Sequence, residues 1–340
     1  MKTTPCVSIV LVCYNYAHLL PRALEGIASQ TFRDFEIVFV NNGSTDNSLQ
    51  VFEEFIAKHS DIAYQICDIK TNIGVAHGDN TGAYAAQGEY LLFHDADDWM
   101  DSDTLQKLTD AAHSCNADRV ISAFKDVDDN GNILQVQLLA SDPIYWFYGM
   151  QQANLFKRSI YIQNRIQVSD SLWIDSEKTL KFSQYVKKAA YVYDPCYNYL
   201  VHTDSTSRNS ELYKYIWTTP RYSFSDFLNI CMSVFDSCSD SMTRFAIEYQ
   251  ICHNYYSYIY QFLRDAPYKE KCRNYVRLHE IMASTLPDYL HNPYIWGKND
   301  HIRKYAIWII RLSSLLERTH TMKLGLLGYH LLSKIMYFQV

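Results

Sequence analysis

YLLFHDADDWMD, residues 90–101, sets an apolar run directly against a knot of acid. Tyr90 to His94 have the length of a short buried strand, and Asp95, Asp97 and Asp98 follow at once, with Asp101 close behind. Like charges packed this closely repel unless a cation sits among them. Helix capping would use one or two such residues, Asp101 or Asp103 for example, but not a trio at a strand end. An EF-hand loop is excluded, because Met100 stands at its glycine position and Gln106 at its closing glutamate. A phosphate loop of the form GxxxxGKS/T is absent, and Gly74, Gly78 and Gly82 are four apart rather than spaced as GxGxxG. What remains is a hard divalent cation, Mg2+ or Mn2+, shared with a phosphorylated ligand.

Outward from this stretch the chain alternates. VSIVLV (7–12), FEIVFV (35–40), AYQICD (63–68), EYLLFH (89–94) and RVISAF (119–124) read as strands. The first is β-branched and continuous, as expected of a strand buried on both faces. Between them, residues 17–31 have helical spacing with Pro21 in the first turn. Ser44 or Thr45 is placed to cap a helix through SLQVFEEFIAKH. Residues 74–88 read as a small-residue helix closed by Gly88, and a fourth helix is expected over about 101–115. Such alternation predicts a parallel sheet with helices on both faces, whose ligands bind outside the strand carboxyl ends. The polar clusters sit there: Tyr14 and Asn15, then Asn41 and Asn42, then Asp95 to Asp98. Beyond residue 130 an Asn-Gly hairpin signal lies in DVDDNGNI, residues 189–202 are aromatic and β-rich, and from about 211 the chain turns helical.

At 340 residues the chain is long enough for two domains, and its net charge of −6 argues against bulk nucleic-acid binding. The nine scattered cysteines form no CxxC pair and read as buried free thiols of a reducing cytoplasm. The apolar stretch near the N-terminus is too short for a signal peptide, and no run is long enough to span a membrane.

The runs VSIVLVCYNYAHLLPRALEGIASQTFRDFEIVFVNNGSTDNS and NIGVAHGDNTGAYAAQGEYLLFHDADDW together resemble the family 2 glycosyltransferases with the GT-A fold, of the bacterial surface-polysaccharide type. The likeness is strong over residues 5–125 and weaker over 170–210. It implies an α/β fold, a Rossmann-like, mostly parallel sheet flanked by helices, with a helical C-terminal region. The expected domains are a catalytic one over 1–210, with a nucleotide-sugar half to about 125 and an acceptor half from 126, and a helical region over 211–340.

The resemblance also implies roles. Tyr14, Asn15, Asn42 and Asn72 fall where the donor nucleotide is held, Tyr14 on the base and Asn42 hydrogen-bonded to it. Asp95 matches the position near the ribose, and Asp97 and Asp98 the metal positions of the DxD element. Asp175, in DSLWIDSEKTLKF (170–182), matches the catalytic base, with Glu177 as the alternate and Ile174 where the family has Glu. His202 and Ser205 match a later segment that covers the diphosphate, His202 as a further metal ligand, with Leu200 in place of the usual Arg. Asp79 stands where the family commonly carries Arg before the Asn. The implied activity is metal-dependent inverting transfer, with Mn2+ or Mg2+, of a sugar from a UDP-hexose or UDP-N-acetylhexosamine to a glycan or lipid-linked acceptor. The expected location is cytoplasmic; the basic C-terminal segment reads either as a contact with the inner face of the membrane or as an amphipathic helix packed on the catalytic domain, and a homo-oligomer is left open. The departures at 79 and 174 leave one alternative, an inactive GT-A domain acting as a binding or scaffolding module. Tyr255, Tyr256, Tyr258 and Tyr260 read by default as helix core, with sugar stacking or an oligomer interface as the alternatives.

Overall fold

The computed structural model describes residues 4–137, 151–171, 173–202, 223–263, 266–297 and 304–333. The chain divides into two compact units. The first comprises Met1–Leu139, Gly149–Asp170 and Ile174–Thr203, and the second Ala140–Tyr148, Ser171–Trp173 and Asp204–Val340.

The first unit is built on strands β1 (Val7–Cys13), β2 (Phe35–Asn42), β3 (Ala63–Ile69) and β4 (Tyr90–Asp95). Helices α1 (Leu20–Ala28), α2 (Ser48–Lys58) and α3 (Val75–Ala85) join them in turn. Strands β1 and β2 are buried almost throughout, as their uninterrupted apolar runs predict, whereas β3 alternates with exposed positions because it lies at the sheet edge. After β4 come β5 (Trp99–Met100), α4 (Thr104–Cys115), β6 (Arg119–Ser122), β7 (Phe124–Val127) and β8 (Ile133–Gln137). They are followed by β9 (Leu155–Lys157), α5 (Arg158–Gln163), α6 (Ile174–Ser183), β10 (Ala189–Val192) and β11 (Tyr197–Leu200).

The main sheet runs β10-β6-β9-β4-β1-β2-β3. All its pairings are parallel except those of β9, which inserts antiparallel between β4 and β6. A second sheet, β5-β11-β7-β8, contains the hairpin predicted from the Asn-Gly signal, with Gly131 at φ 81° in its turn. Residues 119–124, expected as one strand, break at Ala123, so that β6 serves one sheet and β7 the other.

Two helix ends differ from expectation. Neither Ser44 nor Thr45 caps α2. Asn47 precedes it without a side-chain bond, and the Asp46 carboxylate takes the amide and hydroxyl of Ser48 instead. Helix α3 ends at Ala85, short of Gly88, whose amide is held by the Ser8 hydroxyl at 2.7 Å. The small residues of α3 let it lie close on the sheet: a Cβ at Gly82 would stand 2.4 Å from Val10 and at Gly78 2.6 Å from Val12.

Register fixes the site. Cys13 pairs with Asn41, Val12 with Asp95, and Asn41 with Asp68, so the three polar clusters end on one carboxyl edge. In the second unit, α7 (Phe224–Ser237), α8 (Ser241–Ser257), a π-helical turn (Tyr258–Phe262), α9 (Tyr268–Thr285), a short 3-10 turn (Tyr289–His291), α10 (Pro293–Trp296), α11 (Lys304–Arg318) and α12 (Met322–Ser333) are helical. Tyr255, Tyr256, Tyr258 and Tyr260 are core residues there. The Glu317 carboxylate, 3% exposed, accepts hydrogen bonds from the hydroxyls of Tyr255, Tyr256 and Tyr289, which satisfies a buried charge. Among the described residues no helix is long and apolar enough to cross a membrane.

Candidate active site

The loop after β4 gives its carboxylates different partners. Asp98, 1% exposed, turns inward, and its Oδ1 accepts the Leu200 amide of β11 at 2.8 Å. That bond pins the loop to the second sheet. Asp97 turns the other way, and its Oδ2 lies 3.0 Å from Nε2 of His202, just beyond β11. The His202 and Asp97 side chains retain 13% and 20% of their exposure. Asp95 closes β4; its amide donates to the Tyr197 hydroxyl, and its Oδ2 accepts from Nε2 of Gln152 at 2.9 Å.

Asp175 lies in the first turn of α6, and it too is hydrogen-bonded by Gln152. Burial, and then the charges of Asp97 and Asp175, push the Asp95 carboxyl up to about 8. Burial raises Asp175 to about 6, with Asp79 adding to the rise while Lys178 and the Gln152 hydrogen bond oppose it. Asp98 is raised well above the usual carboxylate range by burial and by Asp95 and Asp97. A cluster of carboxylates raised by burial and then by one another's charge is chemically suited to a cation.

Among the described residues no three His, Cys, Asp or Glu side chains converge on one metal position. Asp97 and His202 do converge as a pair. Mg2+ and Mn2+ characteristically take one or two protein carboxylates and complete their shell with phosphate oxygens and water. The donor set present therefore fits such an ion bound together with a diphosphate.

The other sequence-predicted residues are placed as follows. Tyr14 is 40% exposed at the end of β1. Asn15 sits at φ 57°, and its Oδ1 accepts from the Thr45 amide at 2.8 Å, which ties the loop after β1 to that after β2. Asn42 donates to Asn72 Oδ1 and to the Gly74 carbonyl and accepts from the Ile73 amide, so it holds the loop before α3. Glu177, 1% exposed, accepts from the amide and hydroxyl of Ser169 and pairs with Lys181 at 2.6 Å. Its carboxylate is committed to the segment that precedes α6. His77 is an exposed helix-surface residue, and Ser205 lies outside the described residues.

Two features escaped the sequence. Asp79 does not leave the site without a cation: Lys178 of α6 reaches it at 2.6 Å, with both side chains buried. The same Nζ bonds Gln151 and lies 3.6 Å from the centre of the Phe93 ring. The Asp79–Lys178 pair is the more demanding because neither group has water to fall back on. Lys178→Met should cost about 3–5 kcal/mol by leaving Asp79 buried and unpaired, and Lys178→Met with Asp79→Leu should recover most of it. Denaturant unfolding of the two variants reads the difference. The second feature is Gln152 itself, whose bland sequence context gave no sign that it lies between two carboxylates.

A mixed sheet with one antiparallel insert, an acidic loop at its carboxyl edge and a helical C-terminal region are the features of the GT-A fold. Residues 8–171 match the sequence model of Glycosyl transferase family 2. The cholesterol galactosyltransferase of Borreliella burgdorferi is 35% identical over 118 residues, which is 35% of this chain and 32% of that protein. The chain thus spans about a third of the length of that curated relative. Residues 1–349 of TarS from S. aureus, solved in complex with UDP-GlcNAc, superpose with a TM-score of 0.68 at 16% identity, covering 93% of this chain and 92% of that one. The mannosyltransferase PcManGT from Pyrobaculum calidifontis, solved with GDP-Man and Mn2+, superposes with a TM-score of 0.56 at 18% identity, covering 97% and 87%.

Proposed function

We propose that this chain is a metal-dependent inverting glycosyltransferase acting on a nucleotide-diphosphate sugar, with UDP-hexose or UDP-N-acetylhexosamine as donor. A hydroxyl of a glycan or lipid-linked surface glycan is the acceptor. The carrying observation is the Asp97–His202 pair at the carboxyl edge, beside a DxD loop whose Asp95 shares Gln152 with Asp175. The bound UDP-GlcNAc of the TarS structure, and the GDP-Man and Mn2+ of the mannosyltransferase, support a nucleotide sugar and a divalent ion.

In this reading Asp97 and His202 would hold Mn2+ or Mg2+, which when bound would supply charge neutralisation for the departing diphosphate. Asp98 acts through the backbone, keeping the loop on β11. Tyr14 offers an exposed ring to the base, while Asn15, Asn42 and Asn72 shape the loops that receive it. Asp175 accepts the proton of the acceptor hydroxyl as the oxygen bonds to the anomeric carbon. The bond from that carbon to the diphosphate oxygen breaks in the same step, from the opposite face, so the configuration inverts. Asp175 is preferred to Glu177 as base because the Glu177 carboxylate is already occupied by Ser169 and Lys181.

A thermal-shift screen of UDP-, GDP- and dTDP-sugars with Mn2+ tests this. A ligand at 100 times its Kd adds about 2.7 kcal/mol to native stability. One sugar nucleotide should raise the melting point only when Mn2+ is present, and product analysis should then show transfer or slow hydrolysis of that donor. Stabilisation without any turnover would favour the inactive binding module instead.

A further inference from the structure

Gln151–Asn154, the sequence QQAN, enters β9 with three amide side chains, each 4% exposed or less. Burying amides is costly unless each is used. Gln151 accepts from Lys178, and Asn154 donates to the Gln152 carbonyl at 3.1 Å. Between them Gln152 reaches Asp95 on β4 and Asp175 on α6. Its Oε1 is buried without a hydrogen-bond partner, so the amide is turned for the sake of its nitrogen. The backbone at Ala153 bends into the left-handed region at φ 53°, a conformation that costs any residue with a Cβ. Three amides, an unsatisfied oxygen and a strained turn meet beside the two carboxylates.

We infer that Gln152 is a positioning residue that bridges Asp95 and Asp175 and holds the Asp175 carboxylate in line for proton abstraction. One planar nitrogen carries two N–H donors, so a single amide can serve two carboxylates at once. A carboxylate in its place would repel both, and a hydrocarbon would serve neither. The groups facing Asp175 are Asp95 from β4, Asp79 from α3 and Lys178 one turn along α6, with Gln152 the neutral donor among them. Its catalytic meaning rests on the transfer reading above; the bridge itself does not.

The test uses the full chain with 13C-labelled aspartate carboxyls, the Asp175 resonance being assigned with Asp175→Asn. In Gln152→Leu the Asp175 titration midpoint should rise by about one pH unit, as expected for loss of one hydrogen bond to the charged form. Transfer turnover should fall roughly 10- to 100-fold with donor KM nearly unchanged, because a misplaced base costs alignment rather than binding. Gln152→Asn, which keeps the amide on a shorter arm, should recover part of both. An unchanged midpoint and turnover in folded Gln152→Leu overturns the inference. A wild-type chain that transfers no sugar, yet whose Asp175 midpoint responds to Gln152→Leu, overturns the transfer reading and leaves the bridge standing.

Discussion

Asp175→Asn should lower turnover by about 10²- to 10⁴-fold, the range that a positioned general base supplies. Asparagine keeps the shape and the hydrogen bond within the site but cannot take a proton at neutral pH. Donor affinity should change little, since Asp175 is assigned to the acceptor side of the reaction. Glu177→Gln should leave catalysis far closer to wild type, and what it loses should appear in stability, because Ser169 and Lys181 lose a charged partner. The pH profile provides a second readout. In the proposed reaction Asp175 acts as the carboxylate, and burial raises it to about 6. Turnover should therefore be full above that value and decline as pH falls through it. A profile flat down to pH 4.5, or an Asp175→Asn variant of near-normal turnover, would remove Asp175 from the mechanism.

Asp97→Ala should be comparably damaging. On the proposed reading it removes one of the two side chains that would hold the ion, and with it several kcal/mol of charge stabilisation on the leaving diphosphate, or about 10³-fold in rate. The diagnostic effect is on binding. In the wild type Mn2+ should tighten UDP, and in Asp97→Ala UDP affinity should become the same with and without the ion. His202→Ala should act in the same direction with a smaller effect, since a carboxylate and water can still complete the shell. Retention of full Mn2+-dependent UDP binding in Asp97→Ala would place the ion elsewhere.

Much of the nucleotide half was legible because its signals are local. Strands β1, β2 and β4 are short continuous apolar runs, and each ends in polar residues that a parallel sheet must bring to one edge. Strand β9 was not legible: Leu155–Lys157 is too short to show a period, and its antiparallel insertion depends on partners on β4 and β6. The substitution at Asp79 was visible, but its compensation was not, because Lys178 lies 99 residues away. The carboxylates of the DxD loop look alike in sequence. Which one turns inward is decided by the Leu200 amide, 102 residues further on. Likewise the asparagines at 15, 42 and 72 stand at the site, yet most of their bonds go to loop backbone, a distinction that only tertiary geometry draws.

The most direct measurement is an anomalous difference map from crystals grown with Mn2+ and UDP. A manganese peak should stand between the Asp97 carboxylate and Nε2 of His202, with diphosphate oxygens completing its shell. Bound UDP with no peak there, and with His202 still hydrogen-bonded to Asp97, would contradict the metal-centred reading of this site.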